Sequence, residues 1–233
     1  MSILKSQLLE NFIQRLTLSV LAFSLSLTAT SPTLAQQYVP PDRGLPGRRE
    51  GGGTRGNCLT SQPTLTAFMP QTNFGRTTRA YPTLYWYIPQ TTAAVAEFEL
   101  LNDQEEVIYT TQVQLTQKSG ILQITLPDTD RATALETGKT YHWYLSLACD
   151  PQDRSGDVIT EGWIERTELD AALTNQLEQA TEGDRAALYA EAGIWYDALD
   201  TLAELRSLHP NDPIILRSWN NLLTSVGLDN LSL

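Results

Sequence analysis

Cysteine, histidine and methionine each occur only twice in this 233-residue chain, and the scarcity excludes several chemistries. Cys58 and Cys149 stand far apart with no Cys-x-x-Cys or Cys/His spacing, so they offer a metal too few ligands. No Gly-x-Ser-x-Gly nucleophile elbow occurs. A Ser/His/Asp arrangement drawn around His142, Ser146 and Asp150 fails on distance, because Ser146 is four strand residues from His142, roughly 13 Å along an extended chain. His142 therefore reads as a surface histidine. His209, just before Pro210, suits a helix C-terminus, where its cationic form meets the dipole. Basic residues are also few, 16 against 27 acidic, for a formal charge of −11. Such a chain repels nucleic-acid phosphates and anionic lipid. After residue 35 no apolar run is long enough to cross a bilayer. The run Gly51-Gly-Gly-Thr-Arg-Gly56 is followed by Asn57-Cys58 where a phosphate loop needs Lys-Ser/Thr, so no nucleotide or other cofactor is expected.

What is present begins with a leader. Lys5 and Arg15 precede an uncharged apolar run from Leu16 to Ala29, and Thr33-Leu34-Ala35 place small residues where a signal peptidase cuts, before Gln36. That order is the n-region, h-region and cleavage site of a secretory signal over residues 1–35. The apolar run of about fourteen residues is shorter than the roughly twenty that span a bilayer, which favours cleavage between Ala35 and Gln36 over a retained anchor. The expected location is periplasmic or extracellular. In such a compartment an even cysteine count predicts a Cys58–Cys149 disulfide. Closing a loop of about ninety residues removes roughly 4–5 kcal/mol of unfolded-state entropy.

The mature chain divides by composition and period. Residues 36–57 are rich in proline, glycine and arginine without apolar periodicity, and read as a linker. Arg43, Arg48, Arg49, Arg55, Arg76 and Arg79 concentrate positive charge between residues 36 and 80, against only Asp42 and Glu50. These arginines suit an acidic partner, including the acidic body of the chain itself. From 58 to 166 the period is two. Runs such as Thr83–Ile88, Ala96–Leu100, Val107–Val113, Gly120–Leu126, Thr140–Cys149 and Val158–Ile164 predict an antiparallel β-sandwich. Leu135-Glu-Thr-Gly-Lys-Thr-Tyr141 resembles the tyrosine corner of fibronectin type III and immunoglobulin-like domains, with Thr137 where proline is usual. On the strand that follows, Tyr141, Trp143, Leu145, Leu147 and Cys149 share one face. From 167 to 229 the period becomes helical, and Gly193 and Gly227 lie thirty-four residues apart, the length of a tetratricopeptide repeat. The expected class is α+β: an immunoglobulin/fibronectin-III-like sandwich followed by a tetratricopeptide-like helical segment.

Few residues suggest a site. Asp150, Asp153 and Asp157 crowd one loop and form a weak calcium candidate, though the spacing is not that of an EF-hand and Arg154 competes for the carboxylates. Glu105-Glu106 and Glu97/Glu99 read as solvated charges rather than a glycosidase pair. Trp86 and Trp163 have no facing fixed by the sequence and would serve a sugar platform if exposed.

Several segments together resemble the cyanobacterial domain-of-unknown-function family 928: Pro46–Gly56 before Cys58, Leu65–Pro70, Pro82–Pro89, Gly162-Trp-Ile164 and Gly193–Ala198. The likeness spans about residues 44 to 228. It implies an exported cyanobacterial protein with a β-rich body and a helical tail, and it carries over no catalytic residue. The expected function is a non-enzymatic protein-binding module of the periplasm or envelope, recognising its partner through the helices or a strand edge. The alternatives are a carbohydrate-binding accessory module using exposed aromatics, and an envelope hydrolase with no recognised motif.

Overall fold

The computed structural model describes residues 37–52, 58–59, 63–116, 118–129 and 133–231. The expected cleavage site at Ala35–Gln36 lies outside these residues. Nine strands occur among them: β1 (Arg48–Gly52), β2 (Thr66–Ala67), β3 (Phe74–Thr77), β4 (Thr83–Ile88), β5 (Val95–Leu101), β6 (Val107–Gln114), β7 (Gly120–Thr125), β8 (Thr140–Ala148) and β9 (Val158–Arg166). They follow one hydrogen-bonded path, β6-β5-β8-β9-β1-β2-β4-β7, with β3 added in parallel beside β9. The other pairings are antiparallel. Where the sequence predicts two separate sheets, β1 pairs with β9 on one side and β2 on the other and joins both halves. The sheet curls into a half-barrel, so that Trp86 of β4 meets Phe98 of β5 and Trp143 of β8, ring centroids 5.6 and 5.3 Å apart.

Alternation places the core. Tyr141, Trp143, Leu145 and Leu147 of β8 are buried beside Ala96, Phe98 and Leu100 of β5. All six residues of β4 are buried, because this strand is covered on both faces. The corner before β8 closes as its residues suggest: the Tyr141 hydroxyl accepts the Glu136 N–H at 2.8 Å, and Gly138 takes a positive φ of 77°. Cys58 and Cys149 are disulfide-bonded across 91 residues, with Cα atoms 5.4 Å apart. The bridge ties the segment that pairs Leu59 with Thr91 to the end of β8.

Within the linker expected over 36–57, the described residues 37–52 form β1 and a segment packed before it, while 36 and 53–57 lie outside the described residues. The Tyr38 ring is buried edge-on against Trp195, 4.9 Å between centroids, and Val39 N–H donates to the Ala190 carbonyl at 3.0 Å. Arg49 donates to the carbonyls of Val226 at 2.7 Å and Gly227 at 3.0 Å. Arg43 and Arg76 both hold Glu165, at 2.7 and 3.0 Å. Composition misleads here because the segment has no core of its own. It is ordered by side chains that reach into the sheet and the helices.

Four helices follow: α1 (Ala171–Gln179), α2 (Glu182–Glu191), α3 (Trp195–Leu208) and α4 (Pro213–Ser225). Their starts are set by side-chain caps from Asp170, Thr181 and Asp212, with Pro213 at the first turn of α4. The α2–α3 turn passes through Gly193 and α4 ends before Gly227, with φ +72° and +70°. Helix α3 is buried nearly all round, packing against α2, α4, β3 and β4.

Candidate functional site

Helix α3 carries two acids into the junction between helices and sheet. Asp197 and Asp200 are 1% and 2% exposed. Asp197 accepts the Thr78 N–H at 3.1 Å and the Thr78 hydroxyl at 2.6 Å. Asp200 is bound by the Arg79 guanidinium and by the Tyr85 hydroxyl of β4. Burial raises the Asp197 carboxyl above its ordinary range, opposed by hydrogen bonds from Thr78 and Thr77 and by the Arg79 charge. Burial also raises the Tyr85 hydroxyl, and its bond to Asp200 adds to the shift. Each carboxylate has its partners, and the group fastens α3 to β4 and to the segment after β3. Trp195 and Tyr196 extend the attachment: the Trp195 indole N–H donates to the Phe68 carbonyl at 2.8 Å, and the Trp143 indole N–H to the Tyr196 hydroxyl at 3.0 Å.

Beside this group lies a cavity of about 330 Å³, lined by Tyr85 of β4, Ile121 and Gln123 of β7, Ala203, Arg206 and Ser207 of α3, Pro210, and Trp219 of α4. The Arg206 guanidinium sits over the Trp219 ring, 5.2 Å from its centroid. Leu208 and Ile214 flank the α3–α4 turn at 69% and 65% exposure, and Ile121 on the cavity wall is 40% exposed. Of the six large hydrophobic residues exposed among the described residues, Ile121 lines this concavity, and Leu208 and Ile214 flank the turn that contributes Pro210 to it. Scattered exposed apolar side chains are ordinary, whereas their concentration around a pocket marks a binding surface.

The residues predicted from sequence fall elsewhere. Asp150 accepts the Gln152 N–H at 2.8 Å, Asp153 caps a single 3-10 turn through Ser155, and Asp157 is held by Arg154 at 2.6 Å and by Cys149 N–H at 3.2 Å. Arg154 also binds Glu97 at 2.6 Å. The loop is a turn braced by its arginine, and no group of three acidic, histidine or cysteine residues able to hold a metal occurs among the described residues. Trp86 is fully buried and presents no platform. Trp163 is half-buried, its ring stacked on His142 at 3.9 Å and 9°, and its N–H donates to the Pro46 carbonyl at 2.8 Å. His142 is buried, which corrects the surface reading. Its Nδ1 lies 3.0 Å from the Tyr144 hydroxyl and its Nε2 3.3 Å from a Glu161 carboxylate oxygen. Burial lowers its pKa, against the raising charges of Glu161 and Glu105.

The cavity was legible only in outline. Leu208 and Ile214 bracket the polar turn His209-Pro-Asn-Asp212, and Asp197 and Asp200 interrupt the largely apolar first half of α3 at i, i+3 spacing. Both are signs of a helix with something to face on more than one side.

A family model described as Domain of Unknown Function (DUF928) matches residues 50–233. No curated protein matches the chain. Among solved structures, the fn3 domain of human collagen alpha-1(XX) chain aligns at 9% identity over 57% of this chain and 92% of that one, with a TM-score of 0.28. At that score the likeness carries no argument.

Proposed function

We propose, on the premise that the chain belongs to the DUF928 family, that it is an exported, non-catalytic module that binds another protein at the cell envelope. The observation that carries this reading is the cavity between β4, β7, α3 and α4, with the exposed Ile121 on its wall and the exposed Leu208 and Ile214 flanking the turn that lends it Pro210. Recognition sites of this kind join an apolar hollow to a few placed polar groups. The disulfide suits an oxidising compartment. No helix among the described residues is long and apolar enough to cross a membrane. The non-catalytic part of the reading rests on the buried acids, whose oxygens are occupied in holding α3 to the strands.

Two finer readings of architecture belong with this proposal. The packing of Trp86 on Phe98 and Trp143 supports a sandwich-like body. Left-handed glycines thirty-four positions apart support a tetratricopeptide-like plan for α2 to α4. A photo-crosslinking residue at Leu208, compared with one at the exposed Val107 of β6, tests the binding surface in the cells that make the protein. The expected outcome is a discrete protein adduct from position 208 alone. Adducts of equal yield at both positions, or none at 208, would sink the reading.

A further inference from the structure

The sheet ends in β6 on one side and β7 on the other, and among the described residues no strand pairs with the outer edge of either. An open edge offers unpaired backbone N–H and C=O groups, and proteins guard such strands with bulges, charges or proline. β6 is guarded. Its ladder with β5 shifts register between Leu100 and Leu101, Glu105 and Glu106 precede it, and Glu97 and Glu99 lie beside it on β5. β7 is not guarded in this way. Its ladder with β4 runs through six consecutive pairs without a shift, and neither Gly120–Thr125 nor the facing Thr83–Ile88 contains a charge or a proline. The side chains of Ile121, Gln123 and Thr125 are exposed. Their backbone groups face outward too. Leu126 N–H donates to the Pro82 carbonyl at 3.0 Å, so alternation turns residues 120, 122 and 124 toward β4 and 121, 123 and 125 away from it.

We infer that β7 is completed by β7 of a second copy of this chain, in an antiparallel pair whose two-fold axis passes between the two Gln123 residues. In that register Ile121 of each copy faces Thr125 of the other and Gln123 faces Gln123. Each outward N–H and C=O of these three residues then finds a partner, about six hydrogen bonds in all. Charge selects both the occupant and the register. A chain of formal charge −11 repels its own copy, so a self-contact needs a neutral strip with opposite charges at its ends. β7 supplies both. The exposed Lys118 precedes it and the exposed Asp128 follows it, and pairing centred on Gln123 sets Lys118 of each copy level with Asp128 of the other. The Tyr81 hydroxyl also bonds the Asp128 carboxylate, which has acceptor sites enough for both. The inference goes beyond the protein-binding reading and stands without it. Ile121 and Gln123 line the cavity, so the second copy's strand runs beside the wall that these two residues form.

Sedimentation velocity of the purified protein over a concentration series tests the pairing. One short strand makes a small interface, so a monomer in reversible exchange with a dimer is expected. Gln123→Lys and Gln123→Glu each set like charges face to face on the axis, and each should weaken the association roughly tenfold or more. An equimolar mixture of the two variants should restore it, because lysine then faces glutamate. Gln112→Lys on the other edge, β6, should leave the association unchanged. A monomer at every concentration overturns the inference, as does a dimer indifferent to both substitutions at 123. A mixture that associates no better than its parts overturns the register, and a loss caused instead by Gln112→Lys overturns the choice of edge. If a substitution at 123 lowers the unfolding temperature, the mixture decides by itself.

Discussion

Asp197 is a carboxylate without bulk water around it, held by the Thr78 N–H and hydroxyl, with Thr77 and the Arg79 guanidinium also acting on it. Because burial raises its pKa in the folded state, the fold binds its proton more tightly than the unfolded chain does. Its contribution is therefore fully present below the ordinary carboxyl value of 3.8 and is lost as pH rises through the raised folded value. Asp197→Asn keeps the shape, and its amide can donate to the Thr78 hydroxyl where the acid accepted. Urea unfolding from pH 7 toward pH 4 should show the unmodified protein gaining stability relative to the variant as the solution is acidified. Parallel profiles would remove Asp197 from the account. Single residues were unevenly legible in the sequence. Tyr141 announced its hydrogen bond through the Leu135–Tyr141 pattern, because that bond is local. His142 gave no such sign, because its burial depends on Trp163 from the neighbouring strand.

Elements were more legible than side chains wherever their period was sustained. Strands β4 to β9 and helices α2 to α4 follow their apolar patterns, and α1 follows its leucines. β1 escaped because Arg48-Arg-Glu-Gly-Gly52 has no apolar alternation, and its pairing is decided by β9 and β2. The α2–α3 turn allows a test at this scale. Gly193 and Gly227 both hold left-handed backbone, which costs a residue with a Cβ roughly 1–2 kcal/mol. A Cβ at Gly193 would also lie 2.9 Å from the Val39 carbonyl oxygen, whereas at Gly227 the nearest atom is the end of the Gln71 side chain. Gly193→Ala should therefore destabilise more than Gly227→Ala. It should also speed hydrogen exchange at the Val39 amide, which Gly227→Ala should leave unchanged. Equal losses of stability and unchanged exchange at Val39 in both would show that the segment does not lean on this turn.

At the scale of the whole molecule, the Cys58–Cys149 bridge and the buried contacts of residues 37–52 close the structure on itself. Removing the bridge by Cys58→Ser with Cys149→Ser should cost roughly 4–5 kcal/mol by the loop-entropy argument. Reductant should lower the unfolding temperature of the unmodified protein and leave that of the double variant alone. Mass spectrometry finding two free thiols in protein recovered from its native compartment would contradict the bridge. A mostly antiparallel β body followed by helices, and the cysteine pairing, were readable because each rests on period or count. The cavity was readable no further than its outline, since its walls come from β4, β7, α3 and α4, and only the assembled chain brings them together.

The place of β1 has a consequence for how the molecule comes into being. It is the earliest of the described strands, yet it lies in the middle of the sheet and pairs with the last, β9. Arg49, from within it, also binds the carbonyls that end α4. A chain emerging N-terminus first cannot complete this sheet until residues 158–166 have followed, and cannot seat Arg49 until 226 and 227 have. Pairings of such long sequence separation form late and slowly. The topology thus leaves the sheet incomplete, and the N-terminal segment unseated, until nearly the whole chain has been made.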